Sequence, residues 1–205
     1  MARCVMIQAE TDKTWEVWLW PDCVKGKAMV RKAAEFARKA HEGTFRKGSM
    51  IPYIYHPMEV ALIVAQITDD PEIIAAAYLH DVLEDTDVTA EQLETEFGSR
   101  ILSLVQQETE DKSLTWQERK AATIVHLTEA PRDVKILTLG DKLSNMRSTA
   151  RDYMVEGEAI WQRFNEKRRE CHQWYLEGIL FGLQELADLP EYQELYKLYE
   201  FIYGA

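Results

Sequence analysis

Residues 75–87, with the sequence AAAYLHDVLEDTD, place one histidine and four acids directly after an apolar run. If this stretch is one helix, His80 and Glu84 share a face, and Asp81 and Asp85 share the neighbouring face, because side chains four residues apart lie above one another. Imidazole and carboxylate groups together suit Mn, Fe or Zn as a bound metal. The alternative is an acidic, solvated helix end above a buried histidine, and this stretch alone fits both interpretations.

A second histidine, His56, stands in the stretch YIYHP, between an aromatic pair and Pro57. Proline suits the first position of a helix, because the N–H group that it lacks would have no partner there. We therefore expect His56 in a loop, just before a helix that continues as PMEVALIVAQI. A lone histidine at such a place serves either as a ligand or as a structural residue, and both roles fit.

A third candidate, Asp141, directly follows the apolar run Ile136–Leu139, on a segment whose periodicity predicts a buried helix. A buried carboxylate is costly unless it is paired with a cation or bound to a metal. Asp141 is therefore either a metal ligand or the salt-bridge partner of Lys142 or Arg147. Asn145 lies four residues further on and shares the face of Asp141.

The elements that hold these candidates are predicted to be helices. Asp70 and Pro71 have the residue types of a helix N-cap and of the first helical residue. Thr89 and Gln92 fit a capping box, and the helix that they begin is expected to end at Gly98. The apolar periodicity of the remaining chain is also helical, so the sequence predicts an all-α domain.

The beginning of the chain differs from the rest. Residues 1–22 are predicted to form a short N-terminal arm, in which TWEVWLW alternates as an extended strand would and Pro21 ends the pattern. The first helix is predicted from Asp22 to Gly43, and His41 near its end is expected to cap the helix or face solvent.

The composition of the 205 residues, 46% hydrophobic and 29% charged, is that of a globular protein. The net charge of −11 argues against a general nucleic-acid binder, which carries a basic face. No run approaches the roughly 20 apolar residues that a membrane span needs, and no signal peptide is recognisable. The three cysteines are far apart, which predicts reduced thiols and a cytoplasmic protein.

Charge is distributed unevenly along the chain. The acids crowd residues 69–118, whereas Arg and Lys gather in residues 25–47 and 132–169. The basic segments are suited to hold a phosphorylated small molecule while the nearby acids hold a cation.

In the order His…His-Asp…Asp, the candidates resemble the HD superfamily of metal-dependent phosphohydrolases, whose fold is an all-helical bundle. Four stretches are similar to the hydrolase domain of the Rel/Spo alarmone enzymes and their small stand-alone relatives: RKGSMIPYIYHPMEVA, AAAYLHDVLEDTDVT, FGSRILSLVQQETEDK and LTLGDKLSNMRS. The resemblance covers roughly residues 25–150 and extends loosely to about residue 180.

The resemblance implies one divalent cation, commonly Mn²⁺ in this family, bound by His56, His80, Asp81 and Asp141. It implies that Glu84 and Asp85 position and activate the attacking water. It implies contacts with the nucleotide for Arg46, Lys47 and Asn145, and Lys142 and Arg147, which lie beside Asn145 in the sequence, are expected to supply charge for its phosphates.

The implied activity is removal of pyrophosphate from the 3′ position of the guanosine alarmones ppGpp and pppGpp. The alternatives are another HD phosphohydrolase, such as an NADPH phosphatase or a nucleotidase, and a non-catalytic nucleotide binder. The hydrolase domain is expected at residues 23–180, with the C-terminal helices of residues 181–205 on the same domain. Their aromatic stripes predict either core packing or a homo-oligomer contact.

Overall fold

The computed structural model describes residues 27–204, and the described chain is built from α-helices joined by short loops. The ten α-helices of these residues are α1 Lys27–Ala40, α2 Tyr55–Ile67, α3 Pro71–Leu79, α4 Val82–Asp85, α5 Ala90–Phe97, α6 Ser99–Glu108, α7 Trp116–Glu129, α8 Arg132–Glu156, α9 Arg169–Gly182 and α10 Pro190–Tyr203. Short 3-10 helices span Gly157–Arg163 and Gln184–Leu186. The predicted all-α fold is confirmed, whereas the predicted arm lies outside the described residues.

The centre of the fold is α3, whose residues Ile73–Leu79 are all buried. A helix that is apolar on every side must be surrounded by other elements, and α3 contacts α1, α2, α6 and α8. The longest helix, α8, also lies against α2 and α10. As a result α2, α3 and α8 meet in the interior, and each of them brings candidate residues to that meeting point.

Local capping signals determine several helix starts, as the sequence predicts. The carboxylate of Asp70 accepts a hydrogen bond of 2.9 Å from the backbone N–H of Glu72, and Pro71 begins α3. Thr89 and Gln92 form the reciprocal capping box at the start of α5. These signals depend only on neighbouring residues, which explains why they are recognisable in the sequence.

The start of α2 differs from the prediction. The helix begins at Tyr55, so Pro57 is its third residue rather than its first, and His56 lies on the helix rather than in a loop. The backbone N–H groups of Tyr55 and His56 already donate to the carbonyls of Pro52 and Tyr53, at 3.2 and 2.9 Å. A proline in the first turn costs no intrahelical hydrogen bond.

Among the described helices, none combines the length and the apolar character that crossing a membrane requires.

Candidate metal centre and adjoining cleft

The stretch that carries His80 and Asp81 is a junction between two helices, so the prediction of one continuous helix is wrong. Helix α3 ends at Leu79 and α4 begins at Val82. The reason lies in the ring of His80, whose Nδ1 is 2.8 Å from the carbonyl of Ala77. In a continuous helix that carbonyl would accept from the backbone N–H of Asp81. The break allows two adjacent side chains to face the same point, and His80 Nε2 lies 3.0 Å from Asp81 Oδ2.

The four predicted metal ligands converge in the interior. Nε2 of His56 lies 3.1 Å from Oδ1 of Asp141 and 3.5 Å from Oδ2 of Asp81. Nε2 of His80 lies 3.6 Å from the same oxygen of Asp141. One donor atom each from His56, His80 and Asp141 falls within 4.8 Å of the other two, and all three residues are buried. Helices α2 and α8 and the α3–α4 junction thus bring together residues 85 positions apart in the chain.

The chemistry of these donor atoms fits a bound cation. The carbonyl of Ala77 can only accept, so Nδ1 of His80 carries the proton and Nε2 presents a lone pair in the neutral ring. This nitrogen is buried and makes no hydrogen bond with any described residue, although the carboxylate of Asp81 is adjacent. In the neutral ring this lone pair faces the carboxylates of Asp81 and Asp141, and a cation bound between them would offset their negative charge.

The pKa shifts in the cluster arise from burial and from the opposite charges of its histidines and carboxylates. Burial disfavours the imidazolium of His80, but the carboxylates of Asp81 and Asp141 outweigh burial and raise its pKa well above the ordinary value. Burial also disfavours the charged form of Asp81, yet the charge of His80 lowers its pKa. For His56, burial dominates and lowers the pKa. The cluster therefore has a strong preference for one shared positive charge.

Asp141 forms the salt bridge that was one of its two predicted roles, and its other carboxylate oxygen faces the cluster, so the role of metal ligand stays a prediction. Its Oδ2 accepts from Nζ of Lys142 at 2.6 Å, which is the salt bridge, while its Oδ1 faces the two histidines. Burial would raise the pKa of Asp141, but the charge of Lys142 and the histidines hold it well below the ordinary value. Arg147 is engaged elsewhere, with Glu59 and Glu194.

Glu84 and Asp85 lie at the end of α4, where Lys112 holds them. Nζ of Lys112 donates to the backbone carbonyl of Glu84 at 2.5 Å and to Oδ1 of Asp85 at 3.2 Å. Oε2 of Glu84 accepts weakly from the backbone N–H of Glu110, at 3.4 Å. Burial, followed by the charges of Asp85, Glu110 and Asp81, raises the pKa of Glu84. A carboxylate with a raised pKa is better suited to accept a proton near neutral pH.

A cleft of about 650 Å³ opens beside His56. Its lining combines basic, aromatic and amide side chains, among them Arg46, Lys47, Tyr53, Asn145, Arg163 and Phe164. Such a volume is in the range of small-molecule sites. The cleft thus joins the buried cluster to a cationic surface.

The substrate residues predicted by resemblance lie at different distances from the cluster. Nδ2 of Asn145 donates to Oδ1 of Asp141 at 2.6 Å, and Oδ1 of Asn145 accepts from Arg46 at 3.1 Å. Arg46 and Asn145 therefore form a continuous link from the cleft to a predicted ligand. Lys47 is exposed and reaches across the cleft to Asn165, at 3.1 Å. Lys142 is brought to the cluster itself, by its salt bridge with Asp141.

Two residues near the cluster were missed or misjudged from sequence. The hydroxyl of Tyr53 donates to Oδ2 of Asp81 at 2.6 Å, and its place in YIYHP beside His56 was the available signal. His41 was expected to cap a helix or face solvent, and this expectation is wrong. It is 3% exposed and its ring centroid lies 4.8 Å from that of Tyr53. Burial by a residue twelve positions away leaves no local sequence signal.

Comparisons with known proteins agree with this geometry. Residues 33–169 match the HD domain family. Guanosine-3′,5′-bis(diphosphate) 3′-pyrophosphohydrolase MESH1 of Xenopus tropicalis is 38% identical over 168 residues, which are 80% of this chain and 89% of that protein. The guanosine-3′,5′-bis(diphosphate) 3′-pyrophosphohydrolase of Aquifex aeolicus is 35% identical over 145 residues, which are 69% of this chain and 19% of that protein.

A solved structure has the same fold. It is described as a metazoan orthologue of SpoT that hydrolyses ppGpp, and it superposes with a TM-score of 0.73 at 28% identity, covering 87% of this chain and 98% of that chain. The family match includes all four residues of the buried cluster. The chain therefore belongs to the HD domain family.

Proposed function

We propose that this protein is a metal-dependent hydrolase that releases pyrophosphate from the 3′ position of ppGpp and pppGpp, leaving GDP and GTP. The observation that carries the proposal is the convergence of His56, His80, Asp81 and Asp141 on one buried point beside a basic cleft. The MESH1 relative and the SpoT orthologue, which are named for this reaction, support the choice of substrate.

We assign the four clustered residues as ligands of a single divalent cation, and we propose Mn²⁺ as that cation. Two imidazoles and two carboxylates suit a metal of intermediate hardness. When bound, a divalent cation supplies positive charge that polarises a phosphoryl group and lowers the pKa of a nearby water. Tyr53 and Asn145 then keep Asp81 and Asp141 in place, through their hydrogen bonds of 2.6 Å each.

We assign Glu84 and Asp85 to the attacking water. The raised pKa of Glu84 lets its carboxylate accept the water's proton, while Lys112 fixes the end of α4. The water oxygen forms a bond to the 3′ phosphorus, the bond from that phosphorus to the ribose oxygen breaks, and a proton is delivered to the ribose oxygen. One water is consumed for each pyrophosphate released.

We assign Arg46, Lys47 and Asn145 to recognition of the nucleotide. The planar guanidinium of Arg46 can stack on a base or form paired hydrogen bonds with a phosphate. Lys47 adds a point charge at the mouth of the cleft, where its side chain is exposed. We assign Lys142 to the phosphate charge of the substrate, and its ammonium group lies 2.6 Å from the carboxylate of Asp141.

The test is hydrolysis of ppGpp by protein that has been stripped with chelator and then given Mn²⁺. The proposal expects no turnover without metal and stoichiometric release of pyrophosphate and GDP with it. NADPH and simple nucleotides are run in parallel, and D141N serves as a matched variant without one ligand charge. Phosphate release from NADPH without ppGpp turnover would contradict the proposed substrate, while metal-dependent hydrolysis would still be supported.

Three further proposals concern the whole protein. We propose that residues 23–180 form the hydrolase domain and that residues 181–205 belong to the same unit, in agreement with the contacts of α10 with α8 and α9. A homo-oligomer through the C-terminal helices stays a prediction, as does a cytoplasmic location. On α10, Tyr196 and Phe201 are 42% and 53% exposed, so they are available for such a contact.

A further inference from the structure

A chain of hydrogen bonds leads away from His56 on the side opposite the cluster. Nδ1 of His56 lies 3.0 Å from Oγ of Ser144, and this hydroxyl donates to Oε2 of Glu59 at 2.8 Å. Oε1 of the same carboxylate accepts from Arg147 at 3.3 Å. His56 and Ser144 are only 4% and 1% exposed, whereas Glu59 is partly exposed at the wall of the cleft.

The chemistry of the chain gives it a direction. The carboxylate of Glu59 can only accept, so the single hydroxyl proton of Ser144 is committed to it. Oγ of Ser144 therefore faces His56 as an acceptor, and Nδ1 of His56 must carry a proton. In the neutral ring the lone pair is then on Nε2, the atom that lies 3.1 Å from Asp141 in the cluster.

The charge of Glu59 is itself fixed in position. Arg147 contacts Glu59 and also donates to both carboxylate oxygens of Glu194 on α10, at 2.6 and 2.7 Å. This guanidinium, 3.3 Å from Oε1 of Glu59, holds the Glu59 side chain against α8. A charged acceptor at the end of the chain strengthens the polarisation of each hydrogen bond before it.

The two histidines of the cluster thus differ in the hydrogen-bond acceptor that holds Nδ1 of each ring. His80 bonds to a backbone carbonyl, which no substitution removes, whereas His56 depends on two side chains. We infer that Ser144 and Glu59 are positioning residues that hold His56 as a metal ligand with its lone pair on Nε2. The inference rests on the proposed metal site and adds to it the residues that determine the orientation and proton position of one ligand.

The test is the dissociation constant of Mn²⁺, measured by titration calorimetry on the stripped, full-length protein. Loss of a group that orients a ligand weakens metal binding about 10- to 100-fold, and we expect S144A to fall in this range. S144T keeps the hydroxyl and is expected to restore most of the affinity. S148A removes a serine one turn further along α8, on the same helix as Ser144, and we expect wild-type affinity for Mn²⁺.

Two more measurements separate positioning from other roles. E59Q replaces a pure acceptor by an amide that can also donate, so we expect weaker Mn²⁺ binding than in wild type and tighter binding than in S144A. At saturating Mn²⁺, S144A is expected to regain most of its turnover, since a positioning residue acts through the metal; because Ser144 also lines the cleft, a KM that stays raised at saturating Mn²⁺ would contradict a purely positioning role. If circular dichroism shows that S144A does not fold, the Mn²⁺ affinity of E59Q tests the positioning role in its place.

The outcomes separate this inference from the proposed function. Equal Mn²⁺ affinity of S144A, E59Q and S148A would overturn the positioning role even if wild type hydrolyses ppGpp. Weakened binding in S144A and E59Q would support the role even if ppGpp is not the substrate. A wild-type protein that binds no Mn²⁺ would overturn both the inference and the metal site.

Discussion

Gly140 allows α8 to approach α2 closely, directly before the proposed ligand Asp141. A Cβ atom at this position would lie 2.8 Å from Cγ2 of Val64 and 3.3 Å from the backbone oxygen of Val60. Both valines are completely buried, so neither can move aside. Ordinary contact begins at 3.4 Å, so the new Cβ in G140A would overlap the Val64 methyl by about 0.6 Å, and the packing of α8 on α2 must shift to relieve it.

The energetic result is a balance of two terms. Overpacking of a tight core costs about 1–3 kcal/mol, whereas alanine in a helix interior stabilises by about 0.5–1 kcal/mol relative to glycine. We therefore expect the free energy of unfolding of the metal-free protein to fall by about 1 kcal/mol, which lowers Tm by about 2–4 °C for a chain of this size. Urea unfolding without metal measures the change directly.

The metal site should be affected more than the fold. His56 is on α2 and Asp141 is on α8, so a displacement of α8 widens their gap of 3.1 Å by a similar amount. Metal coordination tolerates only about 0.2 Å of misplacement, and we expect Mn²⁺ affinity to fall at least tenfold.

A matched variant separates packing from ligand geometry. In G182A the new Cβ would lie 2.9 Å from Cγ of Leu127, a similar clash between α9 and α7. G182A should therefore lose stability while keeping the wild-type Mn²⁺ affinity. A G140A protein that is more stable than wild type and binds Mn²⁺ as tightly would refute the reasoning.

Four other predictions concern the site. E84Q should bind Mn²⁺ normally and lose most of its turnover, and wild-type turnover would remove Glu84 from the role of proton acceptor. Because Glu84 acts when deprotonated, kcat/KM should fall as pH drops through the pKa of Glu84, which burial and the charges of Asp85 and Glu110 raise. E110Q removes one of those charges, so the fall in kcat/KM should move to lower pH. If it does not move, the fall reports another titrating group. R46A should raise KM several-fold with unchanged Mn²⁺ affinity, and an unchanged KM would exclude Arg46 from the cleft's function. Mn²⁺ at 100 times its Kd should stabilise the wild type by about 2.7 kcal/mol, visible as a higher Tm, and H80A should show no such rise.

The parts of the fold that the sequence predicted are those determined by neighbouring residues. Asp70 with Pro71, and Thr89 with Gln92, begin helices as their residue types predict. A capping hydrogen bond joins residues within one turn, so its signal survives without tertiary context. The order of the four proposed ligands was likewise recognisable, although their convergence depends on α2, α8 and the α3–α4 junction.

The features that the sequence did not reveal depend on side-chain contacts that apolar periodicity does not mark, most of them between residues far apart in the chain. The helix break at His80 follows from its ring bonding to Ala77, which a helical pattern does not reveal. The burial of His41 depends on Tyr53, and the support of His56 depends on Ser144, 88 residues away. The contact of His56 with Ser144 exists only once α2 and α8 have come together, whereas the bond of His80 to Ala77 is local but has no mark in the apolar periodicity.

The most direct test of the account is anomalous diffraction at the manganese edge, from crystals of the full-length protein grown with Mn²⁺. The account predicts one strong peak within coordinating distance of the side chains of His56, His80, Asp81 and Asp141. Crystals of H80A grown under the same conditions should lack this peak. A Mn²⁺ peak elsewhere, with none between these four residues, would contradict the assignment of the buried cluster as the metal centre.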